Sequence, residues 1–264
     1  MVVIGDNITT RFDTTPLHNR GYGNGNSRSL DWFPMDTEEL FDYNLKEQPD
    51  NKSLLHYQDN PISYKLNEYG FRADSFKTKE PGNVFLGCSH TFGIGHYLEN
   101  TWSYKVNKQV GGKFYNLSSP GSGIQTAVRL LQYWSKVLNI KNIFHYQPIY
   151  HRYEFYKDND TVMDSIYPVG YKIEDIYDKW DPIGECLLSN YNIVQLHKVN
   201  MLAIDSIAKS LGINYYAYIG DNYSDEWNQK HHLPTKNSIQ ARDLAHFNVK
   251  SQNSIKDKFT KQLK

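Results

Sequence analysis

From residue 81 onward, short apolar runs alternate with segments in which apolar residues recur every three or four positions. The short runs predict buried strands at residues 84–87, 114–117, 142–148 and 213–219. The periodic segments predict helices at residues 102–110, 122–139, 193–211 and 251–263. Strands that alternate with helices are typical of a parallel sheet covered by helices on both faces. The predicted fold class is therefore α/β, a three-layer αβα sandwich with a mostly parallel central sheet in residues 81–264.

Residues 1–80 have a different character, because they are rich in Asn, Asp, Gly and Pro and show few periodic apolar runs. We expect an accessory, loop-rich segment with a short helix near residues 36–45, docked on the main domain through Tyr64, Leu66 and Phe71. A second irregular stretch, residues 150–189, is longer than an ordinary connection between a strand and a helix. It predicts an excursion over the sheet that walls a substrate pocket.

Composition excludes several classes of protein. Lys plus Arg and Asp plus Glu both number 29, so no overall field draws the chain to nucleic acid. Two cysteines about a hundred residues apart predict neither a disulfide framework nor a structural zinc site. There is no basic, apolar leader at the start and no run of the ~20 apolar residues that span a membrane, so a cytoplasmic location is expected. The sequence indicates no cofactor and leaves the oligomeric state open.

Ser89 follows the first predicted strand of the sheet, in the run VFLGCSHTFGIG. A tight turn from a strand into a helix points backbone amides at an incoming carbonyl, which makes Ser89 a candidate nucleophile. Two alternatives stay open. Ser89 can serve only as a helix N-cap, and Cys88 can be the nucleophile instead, although alternation along the strand predicts a buried Cys88 if Ser89 faces outward.

Near the end of the chain, the run ARDLAHFN contains Asp243 and His246 three residues apart. This spacing puts both side chains on one side of a helical or turn-like loop. A histidine can take a proton from a serine hydroxyl while a carboxylate fixes the tautomer of the ring. The alternative is a solvated Asp/His pair without a catalytic role.

These blocks resemble those of the SGNH (GDSL-like) hydrolases over residues 81–264, with Cys88 in place of the usual Asp of the Gly-Asp-Ser block. The resemblance implies a flavodoxin-like αβα sandwich and ester hydrolysis through a covalent acyl-enzyme, with Ser89, His246 and Asp243 as the triad. It also implies an oxyanion hole made by the backbone amides of Ser89 and Gly121. Gly121 follows Pro120, and a Pro-Gly step also predicts a turn by itself.

The family's third oxyanion donor is an Asn in a Gly-x-Asn-Asp run, which is absent after the strand at 142–148. Gln147 is the favoured replacement, with Arg152 as a charged alternative, and both can equally be loop residues. His90, Tyr150 and Arg152 are candidates for substrate contacts. Pairs such as His90 with His96, or His231 with His232, lack the spacing of a metal site, so no metal is expected.

The expected function is therefore a serine esterase acting on a small-molecule or glycan ester. An O-acetyl group on a carbohydrate is preferred, because the Tyr-rich run FHYQPIYHRYEFY can stack on sugar faces, although the same rings can be core. The alternative is a non-catalytic binding or structural protein, viral or envelope-associated, on the same scaffold. The missing Gly-x-Asn-Asp favours this alternative, and the presence of Ser89, Asp243 and His246 opposes it.

Overall fold

The computed structural model describes residues 26–147, 152–155, 164–166, 190–219 and 238–263. In chain order its elements are β1 (Arg28–Leu30), α1 (Glu38–Glu47), α2 (Lys52–Asp59), β2 (Tyr64–Leu66), β3 (Gly82–Leu86), α3 (Ser89–Phe92), a 3₁₀ turn (Leu98–Asn100), α4 (Trp102–Val110), β4 (Lys113–Asn116), α5 (Ile124–Trp134), β5 (Ile140–Gln147), β6 (Tyr153–Phe155), β7 (Asp164–Ile166), α6 (Asn190–Ser210), β8 (Asn214–Ile219) and α7 (Val249–Gln262).

Four of the strands form one parallel sheet in the order β4-β3-β5-β8. The chain runs from β3 outward to β4 and then returns to the other side of β3 as β5. This reversal of strand order creates a crevice at the carboxyl ends of the strands, where α/β proteins bind ligands. Ser89 comes directly after β3 and therefore lies at this crevice.

Each face of the sheet is buried under two helices. On one face, Leu130 of α5 and Ile204 of α6 belong to the same buried cluster as Val84 of β3. On the other face, Trp102 of α4 and Phe259 of α7 pack with Phe85 of β3. The α/β class predicted from the alternating pattern is confirmed, and the arrangement is compatible with a three-layer sandwich.

The helix boundaries follow local chemistry. The hydroxyl of Thr101 caps the start of α4, and Gly111, with a φ of +73°, ends it. Helix α5 is shorter than the predicted 122–139. Its start is delayed because Ser122 closes the preceding turn, and after Trp134 the chain tightens into bonds between residues three apart, such as Val137 N to Trp134 O at 3.0 Å.

The described part of the N-terminal segment contains more regular structure than its composition suggests. The predicted short helix is present as α1, whereas α2 was not predicted. The signal for α2 is Asn51, whose side chain accepts hydrogen bonds from the backbone amides of Ser53 and Leu54 at 3.0 and 3.3 Å. Tyr64 and Leu66 of β2 are buried, and so is Phe71.

The predicted excursion at 150–189 lies mostly outside the described residues. Arg152 and the antiparallel pair of β6 and β7 are the parts that can be described. Across all the described residues, no helix combines the length and the apolar character needed to span a membrane.

Candidate active site

The turn between β3 and α3 presents Ser89 at the end of a central strand. Gly87, with a φ of +148°, allows this turn, because a Cβ there would lie 2.2 Å from Thr91 Oγ1 and 2.6 Å from Tyr146 O. Ser89 is the first residue of α3, and Cys88 occupies the cap position without a side-chain cap bond. The hydroxyl of Ser89 is therefore not the helix cap that sequence alone leaves open.

Ser89 is 3% exposed. Among the described residues, its hydroxyl has one hydrogen-bond partner, Cys88 Sγ, at 4.0 Å, where such a bond is weak. Cys88 is a free thiol and fully buried. The hydroxyl thus remains available for another acceptor, and the thiol is packed as a small apolar side chain.

Asp243 and His246 form a self-contained turn before α7. Asp243 Oδ1 accepts hydrogen bonds from the backbone amides of Ala245 and His246, both at 3.2 Å, and Asp243 Oδ2 contacts His246 Nδ1. Both side chains are buried, at 4% and 7% exposure. Because the carboxylate is tied by two amides and one ring nitrogen, the imidazole is held with its Nδ1 inward and its Nε2 turned away from Asp243.

The surroundings of Asp243 favour its charged form. Burial by itself raises the pKa of this carboxyl, but the positive charge of His246, the bond to its ring and the two backbone amides together outweigh burial. The pKa of Asp243 therefore lies below its ordinary value. An ionised Asp243 is suited to stabilise an imidazolium that forms beside it.

The Ser89 loop and the Asp243–His246 turn pack directly against each other. Gly95 O accepts a hydrogen bond from Arg242 N at 2.9 Å, and a Cβ on Gly95 would lie 3.1 Å from Asp243 Oδ1. The ring of His90 stacks on Phe247 at 3.6 Å between centroids and lies 5.2 Å from the ring of His246. The residue that follows Ser89 thus touches the imidazole, although no hydrogen bond joins Ser89 to His246 among the described contacts.

His96 links the same two loops by a hydrogen bond. Its Nε2 donates to Phe247 O, and complete burial lowers the pKa of its ring to about 4. The backbone carbonyl of His90 accepts a hydrogen bond from the side chain of Gln252 in α7 at 3.3 Å. Both histidines therefore contribute to the packing of the two loops.

The buried His96 predicts a loss of stability in acid. Its pKa rises towards 6.5 on unfolding, so between pH 6.5 and 4 the unfolded state binds a proton that the folded state does not. Stability therefore falls as the pH is lowered through this window, by up to about 3 kcal/mol from this residue. Urea unfolding at pH 7 and pH 4.5 measures the loss, which should be smaller in His96→Gln. An equal loss in the variant would contradict this assignment.

The Pro120-Gly121 step forms a turn beside Ser89. Ser122 N donates to Ser119 O at 3.1 Å, and Gly121 has a φ of +80°, as in a type II turn. Gly87 O anchors the turn, because it accepts from Ser119 N at 3.1 Å and from Ser122 Oγ at 3.2 Å. Within the described part of the chain, the amides of Ser89 and Gly121 donate to no acceptor. The turn that the Pro-Gly step predicts is therefore present.

The remaining predicted site residues are placed less completely. Arg152 is buried and donates from Nη1 to Ser122 O at 3.2 Å. A Cβ on Gly123 would lie 2.5 Å from Arg152 O. Arg152 therefore packs against the end of the Gly121 turn. Gln147 ends β5 at the crevice, and its side chain is outside the described part. Tyr150 and the pair His231 and His232 also lie outside it.

The sequence did not identify the buried polar residues that form hydrogen bonds around the two loops. Asp36 and Arg242 form a buried ion pair 206 residues apart in sequence, and Arg72 donates to the backbone around the end of α3. Arg242 is the neighbour of Asp243 in sequence, and this adjacency was the available signal.

The described residues contain no group of three or more His, Cys, Asp or Glu side chains arranged to hold a metal ion. No protein-family model matches the chain, and no curated protein matches it at a significant level.

Proposed function

We propose that this chain is a serine esterase of the SGNH type, with residues 81–264 as its hydrolase domain and residues 1–80 as an accessory segment. The supporting observation is the packing of the Ser89 loop against the Asp243–His246 turn at the carboxyl end of β3. Two loops that are far apart in sequence thus meet near the carboxyl ends of the strands, where α/β proteins bind ligands.

In the proposed reaction, Ser89 Oγ attacks the carbonyl carbon of an ester while His246 Nε2 takes the hydroxyl proton. The backbone amides of Ser89 and Gly121 donate to the oxyanion of the tetrahedral intermediate. When that intermediate collapses, the imidazolium returns the proton to the leaving alcohol, and an acyl-Ser89 ester remains. Water, deprotonated by His246, then attacks the acyl carbon. As the bond to Ser89 Oγ breaks, the imidazolium returns its proton to that oxygen and the free acid leaves.

Asp243 acts without touching the substrate. Its Oδ2 accepts the Nδ1 proton of His246, which leaves Nε2 unprotonated and facing away from the carboxylate. Proton transfer requires the Ser89 hydroxyl to turn from Cys88 Sγ towards Nε2. Catalytic hydrogen bonds commonly tighten only in the complex with substrate.

The proposed substrate carries a small acyl group, because Ser89, Asp243 and His246 are each less than a tenth exposed. An O-acetyl group fits this description. Phe144 and Tyr146 of the aromatic run do not contribute to a sugar site, because they lie in the core under α4 and α7. Those rings serve packing, and the preference for a sugar depends on tyrosines outside the described residues.

Covalent labelling tests the proposal directly. A fluorophosphonate probe should form an adduct with the wild-type protein, and mass spectrometry should locate the adduct at Ser89. Ser89→Ala should not be labelled, and His246→Ala should be labelled slowly because its serine is not deprotonated. Ser103→Ala is the matched control, since Ser103 is a buried serine that donates to Thr91 O at 3.0 Å; it should be labelled like the wild type.

Equal labelling of Ser89→Ala and the wild type would overturn the nucleophile. If the wild type is neither labelled nor able to hydrolyse p-nitrophenyl acetate, the non-catalytic binding protein becomes the better proposal.

A further inference from the structure

Arg242, the residue before Asp243, is buried against the N-terminal segment. Its Nε donates to Asp36 Oδ1 at 3.0 Å, and its Nη2 donates to Asp36 Oδ2 at 2.8 Å and to Asp31 O at 2.7 Å. Its guanidinium also lies 3.9 Å from the centre of the Trp32 ring. A planar group held by two carboxylate oxygens, a carbonyl and a ring face has one orientation. The backbone at the start of the Asp243–His246 turn is therefore fixed by residues 31–36.

Asp36 has a second partner that leads to the other loop. The hydroxyl of Tyr64 donates to Asp36 Oδ2, and the same hydroxyl accepts a hydrogen bond from Gly95 N at 2.8 Å. Gly95 O in turn accepts from Arg242 N at 2.9 Å. Arg242, Asp36, Tyr64 and Gly95 thus form a closed ring of hydrogen bonds, and all of the side chains in it are buried.

A second arginine ties down the helix that carries Ser89. Arg72 donates from Nη1 to Gly93 O at 2.7 Å and to Phe92 O at 3.3 Å, and from Nη2 to His96 O at 2.8 Å. The carbonyls at the end of a helix lack partners within the helix. Because α3 has four residues, bonds at its end hold the whole helix, including Ser89 at its start.

We infer that the N-terminal segment is part of the catalytic unit, with Asp36 and Tyr64 as positioning residues that set the distance between Ser89 and His246. The inference rests on the proposed hydrolase function. The ring contains backbone atoms from both loops, namely N and O of Gly95 after α3 and N of Arg242 before Asp243. A change in the ring therefore moves one loop relative to the other, and a shift of about 1 Å in a reacting group can lower a rate about 10²-fold.

Tyr64→Phe tests the ring, because it removes one hydroxyl and leaves the Asp36–Arg242 pair in place. With p-nitrophenyl acetate we expect kcat to fall about 10- to 100-fold while KM changes less than about twofold, since Tyr64 aligns reacting groups without binding substrate. Tyr115→Phe is the matched control. It removes a hydroxyl from another buried tyrosine, which donates to Glu80 O at 2.6 Å beside the start of β3. Its kcat should stay at the wild-type value.

A second measurement separates this inference from the proposed function. In ¹⁵N-histidine NMR spectra, Tyr64→Phe should shift the ring resonances of His246 and leave those of His145 unchanged, because His145 bonds to Tyr215 under the sheet. Tyr115→Phe should shift neither His246 nor His90. Near-ultraviolet circular dichroism establishes that both variants are folded.

Unchanged His246 resonances together with a wild-type kcat in Tyr64→Phe would overturn the positioning role. A wild-type protein without any turnover would instead overturn the esterase, and the NMR comparison would still decide whether the ring positions the imidazole.

Discussion

Asp243→Asn is expected to lower kcat for p-nitrophenyl acetate about 10⁴-fold, with KM changed less than about twofold. The reason is the direction of the hydrogen bonds around the carboxylate. Oδ1 accepts from the amides of Ala245 and His246, so the oxygen of an asparagine must occupy that place. Its NH₂ group then faces His246 Nδ1 as a donor, and the ring proton moves to Nε2. An imidazole protonated at Nε2 cannot accept the proton of Ser89.

The control for this experiment is Asp257→Asn. Asp257 lies on the surface of α7, where its carboxylate pairs with Lys256 at 2.8 Å. The same change of charge at this site should leave kcat at the wild-type value. A kcat for Asp243→Asn within tenfold of the wild type would show that this carboxylate does not set the tautomer, and it would remove Asp243 from the proposed triad.

The sheet and its helices were predictable because each element has one apolar face and a period that shows in the sequence. Trp102 and Val106 lie four residues apart on α4, and both are buried against the sheet. The residues at which the helices begin and end were less predictable. Ser122 and Gly123 directly precede the apolar stripe of α5, yet both lie outside the helix. Ser122 instead closes the turn anchored on Gly87, a contact 35 residues away in sequence. Tertiary contacts of this kind decide where a helix starts.

The residues of the candidate site also differ in how well the local sequence predicts them. Ser89, Asp243 and His246 were found from local spacing, because a strand-to-helix turn and a three-residue interval are visible within a few letters of sequence. The ring through Asp36 and Tyr64 was not predictable, since Asp36 lies 206 residues from Arg242, Tyr64 lies 31 residues from Gly95, and no local pattern marks these partners. Composition suggested a loop-rich accessory segment, whereas the contacts of Asp36, Tyr64 and Arg72 connect it to both loops of the site.

The buried pair of Asp36 and Arg242 predicts a large loss of stability when either partner is replaced. Arg242→Met leaves Asp36 buried without its cation, and Asp36→Leu leaves Arg242 buried without its anion, so each change should cost about 3–5 kcal/mol of unfolding free energy. The double variant should be less destabilised than the sum of the two, because an apolar pair of similar volume leaves no charge unpaired. Urea unfolding at pH 7 supplies all four values.

Lys113→Met provides the matched comparison for Arg242→Met. Lys113 pairs with Glu80 at 3.1 Å, but both side chains are about a third or more exposed, and water screens such a pair. Its loss should therefore cost much less unfolding free energy than the loss of Arg242. Comparing the two variants tests the origin of the stability lost in Arg242→Met. The loss comes either from leaving a buried charge without a partner or from removing an ion pair as such. If Arg242→Met cost no more than Lys113→Met, the burial of Asp36 would not depend on Arg242, and the ring that joins the two loops would be weaker than its geometry implies.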